Sequence, residues 1–185
     1  MSPCLHISSN SLLPQPALDA RALDGKHLVV SIELNDYPNT ISSHALVDCG
    51  ATGYAFIDET FAREQNFPLY KLPNPRALEV IDGRPIESGL ITHYVMTKLA
   101  INDHTENAIF FVTKLGHYPV VVGIPWMARH DVRISFKTNE LTFDSAFCLR
   151  HCCQKPVTVQ GISPPQLLPN RIAHIAGSTF CRTLY

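Results

Sequence analysis

An apolar run in the first third of the chain stops abruptly at an acid, in Ala45-Leu46-Val47-Asp48-Cys49-Gly50-Ala51-Thr52. A carboxylate in a short glycine-bearing turn at the end of a buried strand is held rigidly and can be approached closely by backbone. Gly50 and Gly53 predict backbone angles there that other residues resist. The plainer alternative is an aspartate that only forms the turn. Cys49 invites a nucleophile reading, but a neighbouring carboxylate disfavours the thiolate that a nucleophile needs. A second group of chemically capable residues is Cys148, His151, Cys152 and Cys153. Their Cys-x2-His-Cys-Cys spacing lacks a second half, whereas structural zinc sites draw on two separated pairs. His174 and Cys181 would complete a set only across a long loop. No metal and no cofactor is therefore expected, and these residues read as a reduced, flexible tail. The remaining histidines read as ordinary surface or partly buried positions.

The elements that must position Asp48 are short and β-rich. Leu28, Val30, Ile32 and Leu34 alternate with Val29, Ser31 and Glu33, predicting a strand with one buried face. Ala45–Val47 and Tyr54–Ile57 read as strands on either side of the turn. Asp58 is placed to cap a short helix through about Gln65, which Pro68 stops. Leu78–Val80 and Ile86–Ser88 flank Asp82-Gly83, a hairpin signal. Val95–Ile101 alternates, Ala108–Val112 reads as a fully apolar strand, and Val120–Val122 runs into Gly123 and a short helix from Ile124 to His130. Ile134–Phe136 and Leu141–Phe143 predict a last hairpin. Leu46-Val47-Asp48-Cys49-Gly50 and Val121-Val122-Gly123-Ile124 form a faint internal echo, each an apolar strand ending in a glycine turn.

The 185 residues leave room for one domain with tails. Hydrophobic residues make up 45% of them, which suits a globular chain rather than a disordered one. A formal net charge of -1 excludes the strongly basic balance of a general nucleic-acid binder. No apolar run approaches the length of a membrane helix, and residues 1–15 do not read as a secretory signal, so an intracellular, cytoplasmic protein is expected. Of the six cysteines only Cys49 lies mid-chain, which is no disulfide framework. Proline and Ser/Asn content predicts a flexible N-terminal tail over 1–24, a folded domain over 25–145 and a proline-containing linker or tail over 146–185. The fold class is all-β, a barrel or sandwich with one or two short helices.

Three landmarks in order then carry a family resemblance. Ala45 to Thr52 resembles the catalytic loop of retropepsins, apolar-apolar-Asp-Ser/Thr-Gly-Ala. Val120-Val121-Val122-Gly123-Ile124-Pro125-Trp126-Met127 resembles their second landmark, and Val80-Ile81-Asp82-Gly83 their flap hairpin. The segment Gly123 to Phe143 is similar to the peptidase of gypsy-class long-terminal-repeat retrotransposons. The resemblance covers roughly residues 25–145 and implies a retropepsin-like closed barrel, the half of an acid protease. It also implies an aspartic endopeptidase that cuts a retroelement polyprotein. Two carboxylates held close share one proton, because repulsion raises one pKa, and between them they activate water and protonate the intermediate. This chain has one such loop, and Gly123 has no preceding Asp. The resemblance thus implies a homodimer with Asp48 contributed by each copy. It implies substrate contacts from Gly50, Ala51, Thr52, Asp82 and Gly83, with Cys49 and Gly123 supporting the site. Cys49 departs from the usual Ser/Thr, whose hydroxyl bonds across the dimer, and a thiol is a weaker partner. No zinc knuckle or polymerase motif accompanies the domain, so a fragment, a solitary peptidase or a domesticated copy is expected. The alternative is a catalytically decayed dimerisation or binding module.

Overall fold

The computed structural model describes residues 27–36, 38–79, 85–86 and 88–162. Its elements, in chain order, are β1 (Val29–Asp36), β2 (Asn39–Val47), β3 (Ala55–Asp58), α1 (Glu59–Glu64), β4 (Tyr70–Arg76), β5 (Ile91–Ile101), β6 (His104–Thr113), β7 (Val120–Val122), α2 (Ile124–His130), β8 (Arg133–Ser135), β9 (Glu140–Phe143), α3 (Ala146–His151) and β10 (Val157–Gln160). The main sheet has the order β1-β2-β7-β3-β6-β5-β4, and β1 also pairs with β5 at Glu33↔Ala100 to Asn35↔Lys98. That extra pairing closes six strands into a barrel and leaves β4 outside it, on the flank of β5. Closure removes the exposed edges that an open sheet would leave. The expected all-β, retropepsin-like closed barrel is what the chain forms.

Alternation sets which side chains go inside. Leu28, just before β1, and Val30, Ile32 and Leu34 within it all enter the main core, with Ala45, Val47, Ala55, Ile57, Val120 and Val122. The intervening Val29, Leu46, Phe56 and Val121 point to the opposite face and build a second, smaller apolar cluster with Ile91. Strands buried on both faces read as continuous apolar runs, which is why Ala45–Val47 and Val120–Val122 show no alternation. Ala108–Val112 differs: Ala108 and Phe110 are buried, while Ile109 is 44% exposed, so it is an alternating strand carrying an apolar residue outward.

Both expected helices are present. Asp58 caps α1 by accepting from Thr60 N (2.9 Å) and Phe61 N (3.1 Å), and its second oxygen accepts from Leu115 N at 2.9 Å. α2 spans Ile124–His130 with Pro125 in its first turn, a position where a missing N–H costs nothing.

Three elements go beyond the sequence reading. β4 contains Pro73 and Pro75, tolerated because the strand lies at the flank of β5 and its pairing shifts register between Lys71 and Arg76. The folded region also runs past residue 145. Ser145 caps α3 by accepting from Cys148 N at 3.1 Å, and β10 pairs antiparallel with β9 from Val157↔Phe143 to Gln160↔Glu140. Val157 and Val159 are buried, so β8, β9 and β10 form a three-stranded sheet that the prolines had concealed. Beyond it, Ile162 N donates to Val29 O at 2.7 Å, tying this segment back to the first barrel strand. Among the described residues no helix is long and apolar enough to cross a membrane.

Candidate functional site

Asp48 sits one residue past β2, and the strand that fixes its position is β7. The two pair in parallel, Ala45↔Val120, Leu46↔Val121 and Val47↔Val122, and Asp48 N extends the ladder by donating to Val122 O at 2.9 Å. The internal echo in the sequence is thus a physical neighbourhood, with the two glycine turns emerging side by side. Val122 also pairs with Ala55, so the chain leaving Asp48 returns to the same strand within a few residues.

The turn is clamped from beneath. Ala51 N donates to Asp48 O (3.2 Å), Gly123 N to Tyr54 O (3.0 Å) and Ile124 N to Ala51 O (2.9 Å). Gly123 allows this approach: a Cβ built there would lie 2.1 Å from Gly53 O and 2.6 Å from Ala51 O. Its φ of -106° suits any residue, so glycine is needed for space rather than conformation. Gly53 is similar, since a Cβ there would meet the Phe56 ring at 2.1 Å. The special backbone angles expected of the loop glycines are found instead at Gly89 (φ 74°) and Gly116 (φ 71°).

The carboxylate itself is only 4% exposed, while Cys49 beside it and Thr52 are open to solvent. Oδ1 accepts from Gly50 N at 2.7 Å. Oδ2 is buried and has no hydrogen-bond partner. Burial raises the Asp48 pKa, partly offset by the Gly50 N–H and by His27. An unpartnered buried carboxylate oxygen is costly, which favours the protonated form of this acid. The second apolar cluster lies against it, taking in Ala51 of the loop together with Leu72 and Leu78. Leu78 and Glu79 pair back with Ile86 and Pro85, through Ile86 N to Leu78 O at 3.0 Å and a Glu79↔Pro85 bridge. These contacts form the base of a hairpin. Its tip, Asp82-Gly83, lies outside the described residues.

Behind the loop is a buried polar centre. Glu106 accepts from Tyr54 Oη (2.9 Å) and Trp126 Nε1 (2.5 Å), and His130 Nε2 lies 3.1 Å from its Oε1. Burial would raise the Glu106 pKa, but His130, Trp126 and Tyr54 together outweigh it and hold it below the ordinary carboxylate range. Tyr54 follows directly on the loop and Trp126 sits in α2, so Glu106 bonds the two structures that flank Asp48. Nothing in the sequence spacing pointed to Glu106. Two further expectations need correction. His104 and His130 are wholly buried rather than surface or partly buried positions. Cys148 and Cys152 are buried against them rather than trailing in a tail, because α3 turns both thiols inward.

A closed barrel in which a clamped Asp-x-Gly turn emerges beside a second glycine turn defines a retropepsin-like fold. The retroviral protease-like domain of Ddi1 from Leishmania major shares it, with a TM-score of 0.51 at 17% identity over 78% of this chain and 100% of that one. The family model of the PEG10/RTL1 protease domain matches residues 44–152, more than half of the chain, and the chain belongs to that family.

Proposed function

We propose that this chain is an aspartic endopeptidase of retrotransposon origin, active as a homodimer in which two Asp48 side chains meet across a shared water. The observation that carries the reading is the state of Asp48: Oδ1 fixed by Gly50, Oδ2 buried without a partner, in a loop where Cys49 and Thr52 are exposed. Oδ2 is covered by its own protomer, so two-fold pairing, which sets identical residues face to face, would also have to open the loop enough for the two carboxylates to meet. One carboxylate then takes a proton from water as the oxygen attacks the peptide carbonyl. The other donates its proton to the carbonyl oxygen, and collapse of the intermediate passes a proton to the leaving amine. In this reading Gly50, Ala51 and Thr52 contact the substrate, the family resemblance assigns further substrate contacts to Asp82 and Gly83, and Cys49 and Gly123 support the dyad. The apolar cluster running from Ala51 to Leu72 and Leu78 suits side chains of such a substrate.

The test measures oligomeric state and cleavage of an unstructured protein together. Dimer formation with cleavage at mildly acidic pH, lost in Asp48→Asn, is the expected result. Equal cleavage by wild type and Asp48→Asn removes the dyad from the mechanism, as does a profile flat from about pH 4 to 8. The exposed thiol of Cys49, where the resemblance implies a bonding hydroxyl, favours a second reading: a decayed module that pairs without cutting. Dimerisation without cleavage, restored by Cys49→Thr, would locate the decay at that residue.

A further inference from the structure

Away from the Asp48 loop, four side chains from three elements converge on one point. His104 opens β6, His130 ends α2, and Cys148 and Cys152 lie four residues apart on α3 and at its C-terminal cap. All four are buried, and their ligand atoms lie within 4.8 Å of one another. We propose that this cluster is a structural zinc site with a His2Cys2 ligand set.

The spacing supports a central ion. Tetrahedral geometry with Zn–S near 2.3 Å and Zn–N near 2.0–2.1 Å places ligand atoms about 3.3 Å apart for N–N and about 3.6 Å for N–S. His104 Nε2 lies 3.3 Å from His130 Nδ1. Cys148 Sγ lies 3.6 Å from His104 Nε2 and 3.5 Å from His130 Nδ1, and Cys152 Sγ lies 3.8 Å from His130 Nδ1. Hydrogen bonding alone accounts poorly for this. His130 Nε2 faces Glu106 Oε1 at 3.1 Å and so carries the proton, which leaves one lone pair at Nδ1. Cys148 Sγ can turn to His130 O at 3.3 Å instead, but His104 Nε2 and Cys152 Sγ still compete for that one lone pair. A cation at their centre would satisfy all of them at once.

The surroundings fit as well. A carboxylate behind a ligating imidazole is the usual outer partner of a zinc-bound histidine, and Glu106 occupies that position toward His130. The His104 ring is fixed by stacking on Phe143 at 3.9 Å between centroids. Cys148 N and Cys152 N are held by Ser145 Oγ (3.1 Å) and Cys148 O (2.8 Å), so α3 presents its thiols in fixed directions. Nitrogen and thiolate donors in a tetrahedral set favour zinc over oxygen-seeking calcium or magnesium. The ligand span leaves space for one ion rather than an iron–sulfur cluster. With two donors before residue 131 and two after 147, the ion would pin α2 and α3 to the start of β6. Metal binding of this kind is folding free energy.

The experiment is elemental analysis of the full chain, purified under reducing conditions with zinc present, and it is independent of peptidase activity. About one zinc per chain is expected, with cobalt substitution giving the intense visible bands of a tetrahedral thiolate site. Cys152→Ser should lose the metal, Glu106→Gln should weaken zinc binding about 10–100-fold, and Cys153→Ser and His151→Ala should bind as the wild type does. If a ligand variant fails to fold, the wild-type stoichiometry and cobalt spectrum still decide the matter. A folded, reduced wild-type protein that takes up no zinc, or a Cys148→Ser/Cys152→Ser protein that retains it, overturns the assignment.

Discussion

Replacing Gly123 by alanine tests the account of the loop clamp directly. The backbone at Gly123 has φ -106° and ψ -174°, which alanine adopts freely. All of the cost must therefore come from the added methyl, which would stand 2.1 Å from Gly53 O and 2.6 Å from Ala51 O. Both obstacles are backbone atoms and cannot rotate away. Either the loop or α2 has to move, and the bonds Gly123 N to Tyr54 O and Ile124 N to Ala51 O stretch or break. Two such bonds contribute about 0.5–1.5 kcal/mol each, and overpacking costs about 1–3 kcal/mol. The sum is about 2–6 kcal/mol, a large part of the stability of a domain this size. Urea unfolding of Gly123→Ala is the assay, with Gly116→Ala as the contrast. Gly116 has φ 71° and nothing within 4 Å of a Cβ, so its cost is purely conformational, about 1–2 kcal/mol. A Gly123→Ala protein as stable as wild type, or less affected than Gly116→Ala, would refute the steric argument.

Asp48→Asn should change how stability depends on pH. A carboxyl whose pKa is raised on folding binds its proton more tightly when native, so it favours folding most below its ordinary value of 3.8 and less as pH rises through its raised value. The variant should match wild type in acid and be more stable at neutral pH, and urea midpoints at the two extremes check this. Trp126→Phe removes the indole donor to Glu106 and should cost about 1.5–3 kcal/mol, the range for a bond to a charged group, read by thermal unfolding. A chain ending at residue 145 loses α3 and β10 and uncovers Leu141 and Phe143. It should lose cooperative unfolding and bind a hydrophobic dye, whereas a chain ending at residue 162 keeps these contacts.

Much of the barrel was legible because its signals are local. The alternation from Leu28 to Leu34, the Asp58 cap and the run from Val120 into Gly123 each reflect a face or a turn set by neighbouring residues. β4 was not legible because Pro73 and Pro75 argue against a strand, and only its place on the flank of β5 makes them harmless. α3 and β10 were masked by a proline-rich, cysteine-bearing composition that reads as tail. The four-residue Cys148–Cys152 spacing marks a helix face only once α3 is known. Their partners His104 and His130 lie upstream, whereas His174 and Cys181, the downstream histidine and cysteine, drew attention first. Asp48 stood out because it ends an apolar run. Glu106 did not, since its importance comes from Tyr54, Trp126 and His130, which are distant in sequence and adjacent only after folding.

The parallel register of β2 and β7 also constrains how this molecule could evolve. Position 123 follows directly on that register beside Asp48, and carbonyl oxygens already fill the space a side chain would need there. No single codon change there can place a second acid beside Asp48 without breaking the clamp. If two Asp48 side chains act together as proposed, independence from a twin would require gene duplication and fusion, with the second copy bringing its own acid in its own cradle.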